Sequence, residues 1–317
     1  MPPTPSPLRE LLDGLIEGEA PDVPVRGLAD DSRRATAGDL FLARVGPRSD
    51  GRDHIAAAVA RGVAAVAIEA PARPGDVEAA GGTPTVEVEG LSGLVSEIAE
   101  RFHGRPGRDL ALVGVTGTNG KTTVAHLTAA LLRSAGVPTA VIGTLGAEIG
   151  GEREATGLTT PGGIELSRLL ARAREAGDRA AVIETSSHAL EQGRTGALRF
   201  GIGIFTNLSR DHLDDHGTME AYAAAKARLF EGLGPDALAI VNADDPWSRR
   251  MLRGARCRAL RCSERAGDAS VRVHSSGLGG LDLTLKGPWG TAGATPRLIG
   301  RFHAMNALQA LAAAAET

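Results

Sequence analysis

The stretch from residue 110 to 134 leaves few folds open. An apolar run at 110–115 enters Gly114-Val115-Thr116-Gly117-Thr118-Asn119-Gly120-Lys121-Thr122-Thr123, and a helical pattern over 122–134 follows. A buried strand that turns through glycines straight into a helix is the opening of a parallel βαβ unit. The glycines let backbone N–H groups converge, and the helix N-terminus adds its dipole, so the turn is an anion cradle. In such a loop Lys121 supplies a point charge to the outer phosphates of a nucleotide, and Thr122 offers a hydroxyl to Mg²⁺. The spacing departs from the usual P-loop. Counting back from Gly120, the expected first glycine falls on Val115, while glycines stand at 114 and 117.

The alternation continues downstream. Strands are expected at 110–115, 139–143, 180–184, 201–206 and 237–241, with helices at 122–134, 163–176, 219–230 and 246–252. This pattern predicts an α/β fold with a mostly parallel sheet covered by helices. After Cys262, short antiparallel strands are expected at 271–274, 281–286 and 297–299, then a helix from Ala304.

Ahead of residue 110 the chain reads as a smaller α/β unit. It has a strand at 39–43, an alanine-rich helix at 55–62 ended by Gly62, and a buried strand at 63–68. A loop region rich in Pro and Gly covers 70–85. Leu91, Leu94, Val95, Ile98 and Phe102 share one face of a helix at 91–102. Gly104-Arg105-Pro106-Gly107 marks a boundary. With 317 residues the chain has room for two cores, expected as domains 1–105 and 106–317.

Composition closes off other classes. A net charge of -3 provides no basic field for nucleic acid, and 3% aromatic residues provide no stacking platform for bases. Cys257 and Cys262 lie five apart, outside redox and zinc spacings, and are expected as reduced thiols. Residues 1–7 are Pro-rich without a basic region and apolar core, so no signal peptide is expected. No apolar run reaches the ~20 residues of a membrane span. A cytoplasmic location follows as the expectation.

Gly117-Thr118-Asn119-Gly120-Lys121-Thr122 resembles the phosphate loop of the Mur ligases and their folylpolyglutamate synthase relatives. Further segments narrow the likeness to the MurE type. Asp31-Ser32-Arg33, Gly38-Asp39-Leu40-Phe41 and Asp50-Gly51-Arg52 are similar to its N-terminal UDP-binding domain. Gly143-Thr144-Leu145-Gly146, Thr159-Thr160-Pro161 and the run from Glu184 to Leu190 follow in order. So do the run from Thr206 to Asp214, Gly217-Thr218-Met219-Glu220 and Ala225-Lys226.

The resemblance implies an ATP-dependent ligase of peptidoglycan precursor synthesis. It would join the third stem amino acid, a diamino acid such as meso-diaminopimelate or lysine, to UDP-MurNAc-L-Ala-D-Glu through an acyl phosphate. Gly117 to Thr123 and Asn306 would hold the nucleotide. Lys121, Lys226 and His212 would serve catalysis. Thr122, Glu184, His212 and Lys226, the last as a carbamate, would hold Mg²⁺. Asn119, Thr159, Thr160, Ser186, Gln192 and Arg194 would grip the muramoyl dipeptide, and Ser32 the uridine end. A monomer is expected.

Simpler readings stand beside these. Glu184 can be a solvated strand-end carboxylate. Lys226 taken alone is a surface lysine of a helix. His188 and His216 are local hydrogen-bonding histidines more readily than ligands. Arg194 can be a surface arginine, though bidentate carboxylate binding suits it. Asp244 and Asp245 suit ribose contacts, and Asp245 equally a helix cap ahead of Pro246.

Three positions depart from the family pattern. Asp215 stands where an aromatic residue is common, Gly162-Gly163 where an acidic residue and alanine are common, and His303 where asparagine is usual. The family's third, acceptor-binding domain, with its Asp-Asn-Pro motif, is not found, and the sequence ends inside the helix that would lead to it. The expectation is therefore binding of ATP and UDP substrate with poor ligation. A folylpolyglutamate-synthase-like ligase is the first rival, opposed by the Asp31-Ser32-Arg33 segment. A non-catalytic nucleotide-sugar-binding module is the second. A zinc hydrolase on His212 and His216 lacks the catalytic glutamate, since Leu213 stands in its place.

Overall fold

The computed structural model describes residues 5–46, 49–211 and 213–317, without the side chain of Leu213. Packing divides them into two compact units. The first runs through Arg105 and includes 162–168 and 192–197; the second holds 106–161, 169–191 and 198–317.

In the first unit β1 (Ser6–Pro7) leads into α1 (Leu8–Leu12) and pairs antiparallel with β2 (Pro24–Val25). The main sheet is parallel, in the order β3 (Gly27–Ala29), β4 (Asp39–Ala43), β5 (Ala65–Glu69), β6 (Thr85–Val88). The helices α2 (Ile55–Val59), α3 (Asp76–Ala79) and α4 (Leu91–Phe102) complete the unit. Side chains alternate across β4, so Leu40 and Leu42 join Leu8, Leu91 and Ile98 in one core. Phe41 and Ala43 join Ile55, Val66 and Ile68 in the other. Burial on both faces is what a parallel sheet requires.

Two expectations need correction here. The span 70–85 contains α3, and β6 begins at its end, because Thr85–Val88 is recruited by pairing with β5. The helix expected at 55–62 stops at Val59 and closes in a tight turn, with Gly62 N–H on the Val59 carbonyl and Gly62 at φ 83°.

The next stretch is, in chain order, β7 (Ala111–Thr116), α5 (Lys121–Ser134), β8 (Thr139–Gly143), β9 (Gly146–Ile149), β10 (Glu152–Glu154) and α6 (Gly163–Glu175). Then come β11 (Ala180–Glu184), α7 (Ser187–Glu191), β12 (Ile202–Phe205), α8 (Leu213–His216), α9 (Met219–Glu231), β13 (Leu238–Asn242) and α10 (Ser248–Leu252). Last are β14 (Arg258–Ser263), β15 (Ala269–Gly277), β16 (Gly280–Gly287), β17 (Gly290–Ala294) and α11 (His303–Glu316).

The strands form one sheet, β10-β9-β8-β11-β7-β12-β13-β14-β15-β16-β17. From β8 to β15 neighbours are parallel, and antiparallel hairpins close both edges. β7 lies between β11 and β12, and the crevice at its carboxyl end is where a sheet of this kind presents its ligand. On one face Val113, Val115, Leu238, Ile240, Leu260 and Cys262 pack with Val124 and Ala129 of α5 and Leu308 of α11. Both cysteines are free thiols.

Three further departures concern this sheet. No strand forms at 297–299; the third strand of the last hairpin is β17, built from Gly, Thr and Ala. Pro296 instead offers its carbonyl to the Leu281 N–H at 3.0 Å. β14 carries only a short signal, buried Leu260 and Cys262 on either side of exposed Arg261. The β9–β10 hairpin, turned through Gly150-Gly151, was also missed.

Candidate functional site

The phosphate loop joins β7 to α5. Gly117 has φ 146°, and a Cβ there would lie 1.9 Å from Thr206 Oγ1, so no larger residue fits. The segment after β12 staples the loop. Asn207 Oδ1 accepts from Asn119 N–H at 3.0 Å, its Nδ2 donates to the Asn119 carbonyl at 3.0 Å, and its own carbonyl accepts from Thr118 N–H at 2.8 Å. The Asn119 residue itself is exposed. Lys121 Nζ donates to the Gly117 and Thr118 carbonyls, at 2.9 Å each. Burial lowers its pKa, and the charges of Glu184 and Asp211 oppose the shift. Asn306 of α11 closes on the loop, since a Cβ on Gly120 would come within 2.8 Å of its Oδ1.

Glu184 ends β11 and has no exposed surface. Its Oε2 accepts from Thr122 Oγ1 at 2.9 Å and Thr144 Oγ1 at 3.1 Å, and its Oε1 accepts from Thr144 N–H at 3.0 Å. Gly143 makes room for it, because a Cβ there would fall 2.1 Å from Glu184 Oε1. The hydroxyl network extends outward: Thr144 Oγ1 lies 3.1 Å from Thr159 Oγ1. Thr160 Oγ1 donates to the Glu184 carbonyl at 2.7 Å and accepts from Ser186 N–H at 3.0 Å. The solvated-carboxylate reading of Glu184 therefore fails.

An oxygen-only donor set of carboxylate and hydroxyls suits Mg²⁺, a hard cation that keeps waters and takes phosphate oxygens as further ligands. Among the described residues no three His, Cys, Asp or Glu side chains cluster as a preformed metal cage. A cation held by one or two carboxylates and phosphate does not require such a cage.

Lys226, on α9, is 1% exposed, so the surface-lysine reading is overturned. Its Nζ donates to the Gly117 carbonyl at 3.0 Å, the same oxygen that Lys121 reaches. Burial, then the neighbouring Lys121 charge, drive its pKa down to about 7. Tyr222, one turn earlier, sets its ring 4.4 Å from the Lys226 nitrogen.

Ser32, Gln192 and Arg194 belong to the first unit. Ser32 is buried between Asp31 and Arg33, whose side chains chelate one another at 2.7 and 2.9 Å. That guanidinium hydrogen bond is the main reason the Asp31 pKa drops to about 2. Arg194 donates from Nε and Nη2 to Gln192 Oε1 at 3.1 and 2.8 Å, and burial, then the nearby Arg44 charge, lower its pKa.

The second unit thus gathers the loop, Thr122, Glu184, Thr159, Thr160, Ser186, Lys226 and Asn306. His212 lies outside the described residues. Asp244 and Asp245 hold loops. Asp244 accepts from Ser263 Oγ and Glu264 N–H, and Asp245 accepts from Leu208 and Trp247 N–H groups. Sequence reasoning did not single out Thr144, Asn207 or Tyr222. Thr144 directly follows β8, a strand-end position that could have flagged it.

Comparison with known proteins matches the Mur ligase middle domain over residues 115–314 and the catalytic domain of the Mur ligase family over residues 24–103. The UDP-N-acetylmuramoyl-L-alanyl-D-glutamate--2,6-diaminopimelate ligase of Ectopseudomonas mendocina (strain ymp) is 44% identical over 315 residues, covering 98% of this chain and 63% of its own length. The ligase of the same name from Pseudomonas aeruginosa is 44% identical over 300 residues, covering 92% of this chain and 60% of its own. A solved structure of a ligase of that name superposes with a TM-score of 0.82 at 31% identity, covering 98% of this chain and 64% of that one. This chain therefore spans less than two thirds of the length of these relatives.

Proposed function

We propose, for a chain that belongs to the Mur ligase family, that it binds ATP and UDP-MurNAc-L-Ala-D-Glu and serves activation of the substrate carboxylate for amide formation. The observation that carries this reading is the buried Glu184 carboxylate bound to Thr122, 2.9 Å away at the phosphate loop.

In the proposed reaction a substrate carboxylate oxygen attacks the γ-phosphorus of ATP. The bond to the β–γ bridging oxygen breaks, and ADP leaves with that electron pair. The amine of 2,6-diaminopimelate, the amino acid in the relatives' name, then attacks the acyl carbon. Phosphate leaves, and the amine loses one proton. Two anions must meet in the first step, so the site has to offset their repulsion.

Lys121 supplies a cation at the loop, held on the Gly117 and Thr118 carbonyls. Thr122 and Glu184, supported by Thr144, would hold Mg²⁺, which when bound neutralises phosphate charge. His212 is carried over as the second metal-site residue. Gly117, Thr118, Asn119, Gly120, Thr123 and Asn306 line the nucleotide. Thr159, Thr160, Ser186, Gln192 and Arg194 serve the muramoyl dipeptide, and Ser32 the uridine end.

Carbamylation of Lys226 belongs to the same reading. The neutral amine adds to CO₂, forming an N–C bond and releasing one proton. A pKa of about 7 leaves much of the amine neutral at neutral pH. The anion formed would relieve the repulsion between Lys226 and Lys121 and provide oxygen donors. The reading places the protein in the cytoplasm as a monomer; among the described residues no helix is long and apolar enough to cross a membrane.

Calorimetric titration of UDP-MurNAc-L-Ala-D-Glu, with Mg²⁺ and a non-hydrolysable ATP analogue present, tests the proposal. Saturable binding, weakened at least about tenfold by Arg194→Ala, is expected from the loss of a charged partner. Intact binding of the ATP analogue without binding of the UDP substrate would sink it. With ATP in place of the analogue, release of ADP and phosphate on adding diaminopimelate reads the ligation step.

A further inference from the structure

The second unit contains an aromatic column, buried at His216 and Tyr222, that the proposed chemistry does not use. His216 ends α8, and its side chain is 2% exposed. Both ring nitrogens face α7. Nε2 lies 2.9 Å from Ser187 Oγ, three residues beyond Glu184, and Nδ1 lies 3.8 Å from Glu191 Oε2. Two other rings flank it. His188 is 5.1 Å away between centroids and Tyr222 is also 5.1 Å away, with planes inclined at 37° and 33°. These centroid distances are those of interacting aromatic pairs, with the rings tilted.

The column continues to the phosphate loop. The Tyr222 ring lies 4.4 Å from Lys226 Nζ, and its hydroxyl is 3.4 Å from Thr118 Oγ1. Lys226 in turn reaches the Gly117 carbonyl. At the far end His188 Nε2 lies 3.1 Å from Asp215 Oδ2. An apolar residue could fill the volume that His216 occupies. Only a ring with polar edges both stacks on Tyr222 and anchors to Ser187.

We propose that His216 is a positioning residue: anchored to Ser187, it fixes the Tyr222 ring and through it the placement of the Lys226 amine over the phosphate loop. The functional meaning of that placement rests on the reading of Lys226 given above; the placement itself does not. Ser187 follows the strand that carries Glu184, so the column ties the carboxylate's strand to the lysine's helix.

The chain has three lysines, Lys121, Lys226 and Lys286, so protein labelled with ¹³C at lysine Cε yields a simple spectrum. A side chain held against an aromatic face has its resonance displaced by the ring current. In CO₂-free buffer the Lys226 signal is expected well away from that of exposed Lys286. His216→Ala should abolish most of the displacement and leave the Lys286 signal in place. His216→Phe, which keeps a flat ring but cannot bond Ser187, should lose part of it, and it serves as the test should the alanine variant fail to fold.

A folded His216→Ala protein with an unmoved Lys226 signal would overturn the proposal, as would a folded phenylalanine variant that keeps the full wild-type displacement. Adding ¹³C-bicarbonate then reads carbamate formation separately. A wild type that takes up no label counts against the carbamate alone, while the lysine spectra still decide on the column.

Discussion

At Lys226 a cation lies where water barely reaches it. Folding lowers the amine pKa from 10.5 to about 7, burial being the first cause. Below pH 7 the lysine is protonated in folded and unfolded states alike, and the full desolvation penalty opposes folding. Between about 7 and 10.5 the unfolded chain holds a proton that the folded chain has released, so stability rises with pH. Above that window the penalty is gone. Lys226→Met should therefore raise stability by about 2–4 kcal/mol at pH 6 in CO₂-free buffer, with the gain fading toward pH 10. Thermal melts across that range check this; a methionine variant that melts below wild type at pH 6 refutes it. Glu184→Gln tests the other half of the site. The amide keeps the shape but loses the negative charge, and Mg²⁺-dependent binding of an ATP analogue should weaken about 10–100-fold. Unchanged Mg²⁺ dependence would remove Glu184 from the metal's surroundings. Burial at Lys226 was hidden in the sequence, where Ala225-Lys226 reads as an ordinary helix surface. Only the packing of Tyr222 and Gly117 around it reveals the site.

Elements with strong local signals were legible. The boundaries of α4, β8 and β11 follow directly from apolar periodicity and flanking turns. β6, β14 and β17 were not legible, because each depends on a neighbouring strand to satisfy its backbone. The helix α11 shows how an element far along the chain supports the loop. Leu308 is fully buried and packs in the core shared with α5, and Asn306 on the same helix closes on Gly120. Leu308→Ala should cost about 2–5 kcal/mol, as buried leucine truncations do. A drop in melting temperature with weakened ATP-analogue binding is the expected pair of results. Loss below about 1 kcal/mol would show that α11 contributes little to this core.

Across the whole molecule, packing does not follow chain order. Residues 162–168 and 192–197 group with the first unit although they lie beyond Arg105. Within that unit Ser167 Oγ is 2.8 Å from Glu100 Oε1 and 3.1 Å from the Ala99 carbonyl, and Ala197 N–H donates to Ser96 Oγ at 3.2 Å. Residues 106–317 expressed alone would lose these partners. They are expected to bind an apolar dye and to melt below the full chain; a cooperative melt at the full-chain temperature would contradict this. Sequence alone determined the α/β class, the phosphate loop and the family, since these rest on local periodicity, turn chemistry and an ordered run of motifs. Tertiary structure alone decided that Glu184 and Lys226 are buried, that two lysines share the Gly117 carbonyl, and that α4 gathers segments from beyond residue 160. The physical reason is that desolvation and pairing depend on what surrounds a group in space, and contacts far apart in the chain leave no periodic trace in it.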